Sequence, residues 1–247
     1  MPIHRGSGHK SPQMYIKKLH FSQIGSTHQY AIQGMTEWDK KAWTAISADS
    51  QSDGRGQGLH TWSDLPGHAA LFSLVSPVVA WTSLEVMLRH KAVACAVLAV
   101  TQATTHARIL LKWPNDLYQG QYKLGGILTE AQWSGAFCHR LVCSVGVNVS
   151  NGPTETAYLG KNLSASKVRA ACIDAIVGAV EGDLAAIPSE FDRNLLHQGT
   201  SLWRRPDQQD AEMAECLGVD AHGQIGLKWA LTDSSQWYPH GAVKWEG

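Results

Sequence analysis

The sequence has little with which to staple itself or to organise a metal. Its five cysteines (Cys95, Cys138, Cys143, Cys172 and Cys216) include no CxxC pair and no spacing that reads as a disulfide framework. Cys95, Cys143 and Cys172 sit inside apolar runs, where a free thiol behaves as a small hydrophobe. Twelve histidines are scattered without an HExxH motif or a pair near paired cysteines, so a structural metal is not expected. No run of eighteen apolar residues occurs, which argues against a helical membrane span. The opening MPIHRGSGHKSPQ has basic residues but no apolar stretch behind them and does not read as a secretory signal. It reads as a mobile tail over residues 1–13, with the cytoplasm as the expected compartment. Neither sign of charge is in excess, Lys+Arg and Asp+Glu both being 21, so no bulk field draws the chain to nucleic acid or a membrane. There is no GxSxG elbow and no P-loop GK[ST].

What is present is ordinary globular material: 44% apolar and 17% charged residues in 247, enough for one substantial core and a small appended module. Strands are expected over Tyr15 to Phe21, Trp43 to Asp49, Ala69 to Ser76 and Arg108 to Lys112. Ser26 followed three residues on by Gln29 is a capping-box pattern opening a helix from Thr27 to Trp38. Further helices are expected over Leu84 to Ala103, Ser164 to Ala186 and Pro188 to His197. Lys123 to Trp133 and Phe137 to Val149 read as a hairpin turned at Ser134-Gly135. In its second arm Leu141, Cys143, Val145, Val147 and Val149 alternate with Val142, Ser144, Gly146 and Asn148, the period of a strand. Short β-like runs at Ala214 to Val219, Gln224 to Leu231 and Gly241 to Trp245 suggest a small β module that must pack on the rest. The fold class is therefore α+β, with a mixed or antiparallel sheet and flanking helices. The expected division is a catalytic domain over 14–200 and the module over 201–247.

Two segments carry chemistry. Gln51-Ser52-Asp53-Gly54-Arg55-Gly56-Gln57-Gly58, running on to Trp62, packs three glycines into five residues. Such a loop needs positive φ or close backbone approach, and its amides with the Arg55 fork can hold a phosphate or carboxylate. Taken alone, a flexible surface loop explains it equally well. The second is Lys112-Trp113-Pro114-Asn115-Asp116, followed by Lys123-Leu124-Gly125-Gly126. A turn at Asn115-Asp116 would set Lys123 at the start of the next strand, so that Lys112, Asp116 and Lys123 converge at one sheet end. Gly125-Gly126 suggests a ligand against bare backbone.

KWPND with its following lysine and small-Gly-aliphatic run resembles the central motif of biotin protein ligases, and here the segment is highly specific. The glycine-rich loop resembles that family's GRGR-type loop, Ser26-Thr27-His28 its Ser-Thr-Asn, and Val145 to Val149 its Gly-Ile-Asn-Val-like strand; together these cover roughly residues 20 to 150. The C-terminal stretch is similar to the family's SH3-like module. The resemblance implies that biotin and ATP, with Mg²⁺, form biotinyl-AMP, and that biotin then passes to a lysine of a carboxylase's biotin carboxyl carrier domain. It implies Lys123, Arg55 and Asp116 as catalytic residues. The implied biotin contacts are Ser26, Thr27, His28, Gln51, Arg55, Gly56, Gln57, Lys123, Gly125 and Gly126. Gly54, Arg55, Trp62, Lys112, Asn115 and Asn148 would bind ATP, with no protein metal ligand assigned. Attack by the acceptor amine needs its free base, so transfer should quicken as pH rises. Departures are His28 for Asn, Gln57 for the second arginine, and Leu59 and His60 beyond it. Competing readings are a lipoate ligase or octanoyltransferase, a biotin-holding protein without catalysis, and a biotin-responsive repressor. The last is disfavoured by the short segment before the first site helix. A monomer and a homodimer both remain open.

Overall fold

The computed structural model describes residues 15–58, 60–206 and 208–246; the tail assigned to residues 1–13, and Leu59, lie outside them. The chain opens with β1 (Ile16–Phe21), α1 (Thr27–Gln33) and β2 (Trp43–Ala48). Two two-residue strands, β3 (Gly54–Arg55) and β4 (Thr61–Trp62), form a ladder inside the glycine-rich segment. Next come β5 (Ala69–Val75), α2 (Ser83–Thr104), β6 (Ile109–Lys112), β7 (Asp116–Gln119), β8 (Tyr122–Ser134) and β9 (Phe137–Asn148). Helices α3 (Ala165–Glu181) and α4 (Ile187–Arg193) lead to β10 (Gly199–Arg204), β11 (Glu212–Val219), β12 (Ile225–Trp229), β13 (Ser235–Tyr238) and β14 (Lys244–Trp245).

Seven strands make one sheet in the order β1-β2-β5-β9-β8-β7-β6, parallel only between β1 and β2. The class is α+β. Side chains alternate across this sheet, so each strand serves two layers. On β9, Leu141, Cys143, Val145 and Val147 join the large core under α2 and α3, while Val142 joins a smaller cluster with Ala31 and Met35 on the α1 side. Ser144 and Gly146 share the α1 face, which is where the site lies. Helix α2 is held at its start by a capping box between Thr82 and Glu85 and is buried continuously from Lys91 to Leu98. Its alanines supply the helix propensity that Val93, Val97 and Val100 lower.

Several sequence expectations needed correction. Helix α1 stops at Gln33 rather than Trp38, because Gly34 lets the Trp38 indole fold back and donate to Ala31 O at 2.8 Å. A Cβ at Gly34 would lie 2.5 Å from that ring. Ser26 does cap α1, accepting from Gln29 N at 3.3 Å. Helix α3 ends at Glu181, five residues before Ala186, at Gly182. Lys123 does not return directly beside Lys112, because β7 intervenes between them. Strand β13 was not anticipated and β10 fell in a region read only as a change of texture; both are short and polar, with exposed positions that blur the period-2 signal.

The last five strands form an antiparallel sheet in the order β13-β12-β11-β10-β14, compatible with an SH3-like module. Its core of Trp203, Ile225, Leu227 and Trp229 is continuous with that of the larger sheet. Polar contacts reinforce the join: Lys91 Nζ donates to Val219 O at 2.5 Å, Val219 N to Asp192 Oδ1 at 3.0 Å, and Trp113 Nε1 to Gly223 O at 2.9 Å. Among the described residues no helix is long and apolar enough to cross a membrane.

Candidate functional site

The KWPND segment closes β6 and opens β7. Lys112 pairs in register with Asp116, and Asp116 with Gly126 on β8. The register shift after Leu117 sets Lys123 opposite Tyr118, and the Lys123 ammonium reaches Asp116 Oδ1 at 2.7 Å. Lys112 lies 3.4 Å from the Tyr118 hydroxyl and above the rings of Tyr118 and Trp245. Asn115 fixes the turn: its Nδ2 donates to Ile127 O at 2.7 Å, and Ile127 N donates back to Asn115 O at 2.8 Å. Behind the turn, His90 contacts Pro114 O and Thr129, and burial holds its pKa below the ordinary value.

The glycine-rich segment is a hairpin. Gly54 stands opposite Trp62, where a Cβ would come within 2.5 Å of Trp62 O, and Gly56 N donates to His60 O at 2.9 Å. Arg55 donates to Asp53 Oδ2 at 2.9 Å, and the Gln29 carboxamide oxygen accepts from its Nε and Nη2 at 2.7 and 2.8 Å. The Trp62 indole lies on Gly146, where a Cβ would be 2.7 Å away, and its buried Nε1 has no partner among the described residues.

These pieces enclose a cleft of about 260 Å³. Of the residues anticipated from sequence it brings together Thr27, His28, Gln51, Arg55, Gly56, Gln57, Trp62, Lys112, Asn115, Asp116, Lys123 and Gly126. Ser26, Gly54, Gly125 and Asn148 do not line it. Gly125 faces the neighbouring strand, with Gly146 O 2.7 Å from where a Cβ would sit, whereas at Gly126 a Cβ would meet Asp116 and Lys123. Asn148 donates to Thr156 and Ala157 O, and its Oδ1 is buried without a partner among the described residues. A further cavity of about 320 Å³ shares Trp113, Pro114 and His240 with the cleft and continues to Gly223 and Gln224 of the module.

One wall of the cleft is an unbroken polar chain. Gln51 Oε1 accepts from Thr27 N (2.7 Å) and Thr27 Oγ1 (3.0 Å), and Ser73 donates to Thr27 Oγ1 at 3.0 Å. Ser73 meets Ser144 at 2.8 Å, Ser144 meets His28 Nδ1 at 2.8 Å, and His28 Nε2 meets Glu130 at 3.1 Å. The backbone N of Gln51 is itself anchored on Asp64, whose carboxyl burial holds above the usual range. Sequence reading missed Ser73, Ser144 and Glu130. Two of them were visible as hydroxyls interrupting otherwise apolar strand positions. His28 lines the cleft with both ring nitrogens engaged.

The whole fold is shared with solved biotin protein ligases. The Aquifex aeolicus enzyme, in complex with biotin and ATP, superposes with a TM-score of 0.68 over 92% of this chain and 97% of that one, at 18% identity. The biotin acetyl coenzyme A carboxylase synthetase of Helicobacter pylori, with bound biotinylated ATP, gives 0.57 over 90% and 100%, at 22% identity. The model of the biotin/lipoate A/B protein ligase family matches residues 20–148, and the chain belongs to that family. In sequence it is similar to the bifunctional ligase/repressor BirA of Bacillus subtilis, 28% identical over 131 residues, which are 52% of this chain and 39% of that protein. The match thus spans about two fifths of that relative's length.

Proposed function

We propose that the protein is an ATP-dependent biotin protein ligase: it forms biotinyl-5'-AMP and transfers biotin to a lysine of a carboxylase's carrier domain. The observation that carries this reading is the pairing, in one cleft, of the hydroxyls of Thr27 and Ser144 and the Gln51 carboxamide with three cations, Arg55, Lys112 and Lys123. A cyclic urea needs such a wall; a dithiolane or a plain acyl chain has nothing to offer it, which favours biotin over lipoate or octanoate within the family. The bicyclic ring would rest on Trp62, Ile127 and Val145, with Thr27, Gln51 and Ser144 at its polar edge.

In the first step a carboxylate oxygen of biotin attacks the α-phosphorus and pyrophosphate leaves. Two anions must approach, so fixed cations are the main requirement. Lys123, oriented by Asp116, would hold the carboxylate and a phosphoryl oxygen, and Arg55 would exchange Asp53 for the same charge. Mg²⁺ would neutralise the polyphosphate. Asp116 is the carboxylate among the described cleft residues, and one carboxylate plus substrate phosphates suits that ion. In the second step the acceptor amine attacks the acyl carbon and AMP leaves. The hairpin carrying Arg55, Gly56 and Gln57 would cover the mixed anhydride against water.

The test is biotin-dependent exchange of labelled pyrophosphate into ATP. Wild type should exchange, and Lys123→Ala should lose about 10²- to 10³-fold, the loss typical of a single charge-stabilising donor. A folded wild type that exchanges with neither biotin nor lipoate is a binding protein, and exchange with lipoate alone reassigns the substrate.

A further inference from the structure

We infer that Trp245, on the last strand of the C-terminal module, is a positioning residue for Lys112. With Tyr118 it forms an aromatic seat that holds the Lys112 ammonium in place for the leaving phosphates of the nucleotide. The inference rests on the reading above for the identity of the anion, and on geometry for the seat itself.

The seat begins with the register of the KWPND turn. Lys112 and Asp116 are direct cross-strand partners on β6 and β7, an arrangement in which opposite charges normally pair. The Asp116 carboxylate instead meets Lys123 at 2.7 Å, and Lys112 makes no ion pair among the described residues. Its ammonium lies 4.8 Å from the centre of the Tyr118 ring and 5.3 Å from that of Trp245, both within reach of a cation–π contact. The Tyr118 hydroxyl adds a long hydrogen bond at 3.4 Å. Both rings are fixed from behind. Tyr118 is held in β7 between Leu110 and Lys123. Trp245 stands opposite Trp203, donates from Nε1 to Ser201 Oγ at 3.1 Å and packs on the His197 ring at 4.9 Å. Neither Tyr118 nor Trp245 lines the cleft, whereas Lys112 does, so the rings reach a ligand only through it.

The kind of partner has a chemical consequence. A carboxylate would hold Lys112 but offset its charge, and an incoming phosphate would have to displace it. A ring face attracts a cation through its quadrupole and has no net charge, so the ammonium is ordered while its charge stays available. Ordering matters for a lysine, because the freedom of its four-carbon stem is otherwise lost on binding. Of the three cleft cations, Arg55 is engaged by Asp53 and Lys123 by Asp116. Lys112 alone among the three meets rings rather than a carboxylate, which suits it to the pyrophosphate end of the nucleotide. Strand β14 thereby couples the module to the first step.

The experiment is a double-mutant cycle on the full chain, read by titration calorimetry with MgATP and by the KM for ATP in pyrophosphate exchange. Trp245→Leu should weaken MgATP binding and raise that KM about three- to tenfold, with the calorimetric affinity for biotin unchanged. Trp245→Phe, which keeps a ring face, should stay within about twofold of wild type. In the Lys112→Ala background Trp245→Leu should add no further loss, whereas independent effects would multiply. Should Trp245→Leu fail to fold, Tyr118→Leu in the same cycle reads the other face of the seat. Unchanged MgATP affinity in the folded variant, an equal loss with and without Lys112, or a parallel loss of biotin binding overturns the inference. A wild type that binds MgATP and obeys the cycle, yet exchanges with neither biotin nor lipoate, overturns the ligase reading and leaves the seat standing.

Discussion

Adjacent glycines in the same strand do opposite work. Gly125 is glycine because β9 is close: a methyl there would press on Gly146 O at 2.7 Å, and backbone cannot step aside. Gly126 is glycine because the ion pair is close, a Cβ meeting Asp116 Oδ1 at 3.3 Å and Lys123 Nζ at 3.5 Å. Gly125→Ala should therefore destabilise the fold by about 1–3 kcal/mol, the ordinary cost of overpacking. Gly126→Ala should leave stability nearly unchanged and lower pyrophosphate exchange by displacing Lys123. Urea melts and exchange rates of the two variants separate these effects, and equal stability losses in both would refute the distinction.

At the scale of elements, the strands with one continuous apolar or alternating face were legible, and the ends were not. The alternation over Leu141 to Val149 gave both the strand and its two faces, because a buried face enforces period 2. The end of α1 was illegible because it depends on Trp38 reaching back over Gly34, a contact that no local pattern encodes. Strand β7 was hidden for a similar reason: four residues between two turns carry too short a pattern, and Lys123 finds Asp116 only through it. Thr27, Gln51, Arg55, Lys112, Asp116 and Lys123 came together at one cleft and Ser26, Gly54, Gly125 and Asn148 did not, while Glu130, which ends the polar wall, became visible only with the strands in register. The segment after α1 is also tied by a single side chain. Arg140 on β9, 3% exposed, donates to Trp38 O, Asp39 O and Ser76 O at 2.8, 3.1 and 2.9 Å. Arg140→Ala would leave three carbonyls without this donor and should cost about 2–4 kcal/mol in urea unfolding. A loss below about 0.5 kcal/mol, the scale of ordinary surface substitutions, would show that water replaces it freely.

At the scale of the whole molecule, the module and the larger sheet meet through a histidine that resists protonation. His197, just beyond α4 and 2% exposed, lies with its ring between Trp203 of β10 and Trp245 of β14, at 5.0 and 4.9 Å. Burial, reinforced by Lys112 and opposed by a hydrogen bond to the Trp113 backbone, lowers its pKa to about 4. Between that value and the ordinary 6.5 the unfolded chain binds a proton that the folded chain refuses, so stability must fall as pH drops through this window. The full effect of this one ring is on the order of 3 kcal/mol at pH 4. Asp64 and Asp192, whose carboxyls burial holds above the usual range, act in the opposite direction, because the folded state keeps their protons longer. Comparison with His197→Phe cancels them, since both proteins carry them, and preserves an aromatic ring between the two tryptophans. Urea unfolding at pH 7 and pH 5 should therefore show a larger acid loss in wild type than in His197→Phe. Because the ring sits beside Lys112, the acid-side loosening would begin where the module meets the cleft, and pyrophosphate exchange should decline before far-UV circular dichroism does. Equal acid losses in the two proteins would place the pH sensitivity elsewhere and leave His197 as packing alone.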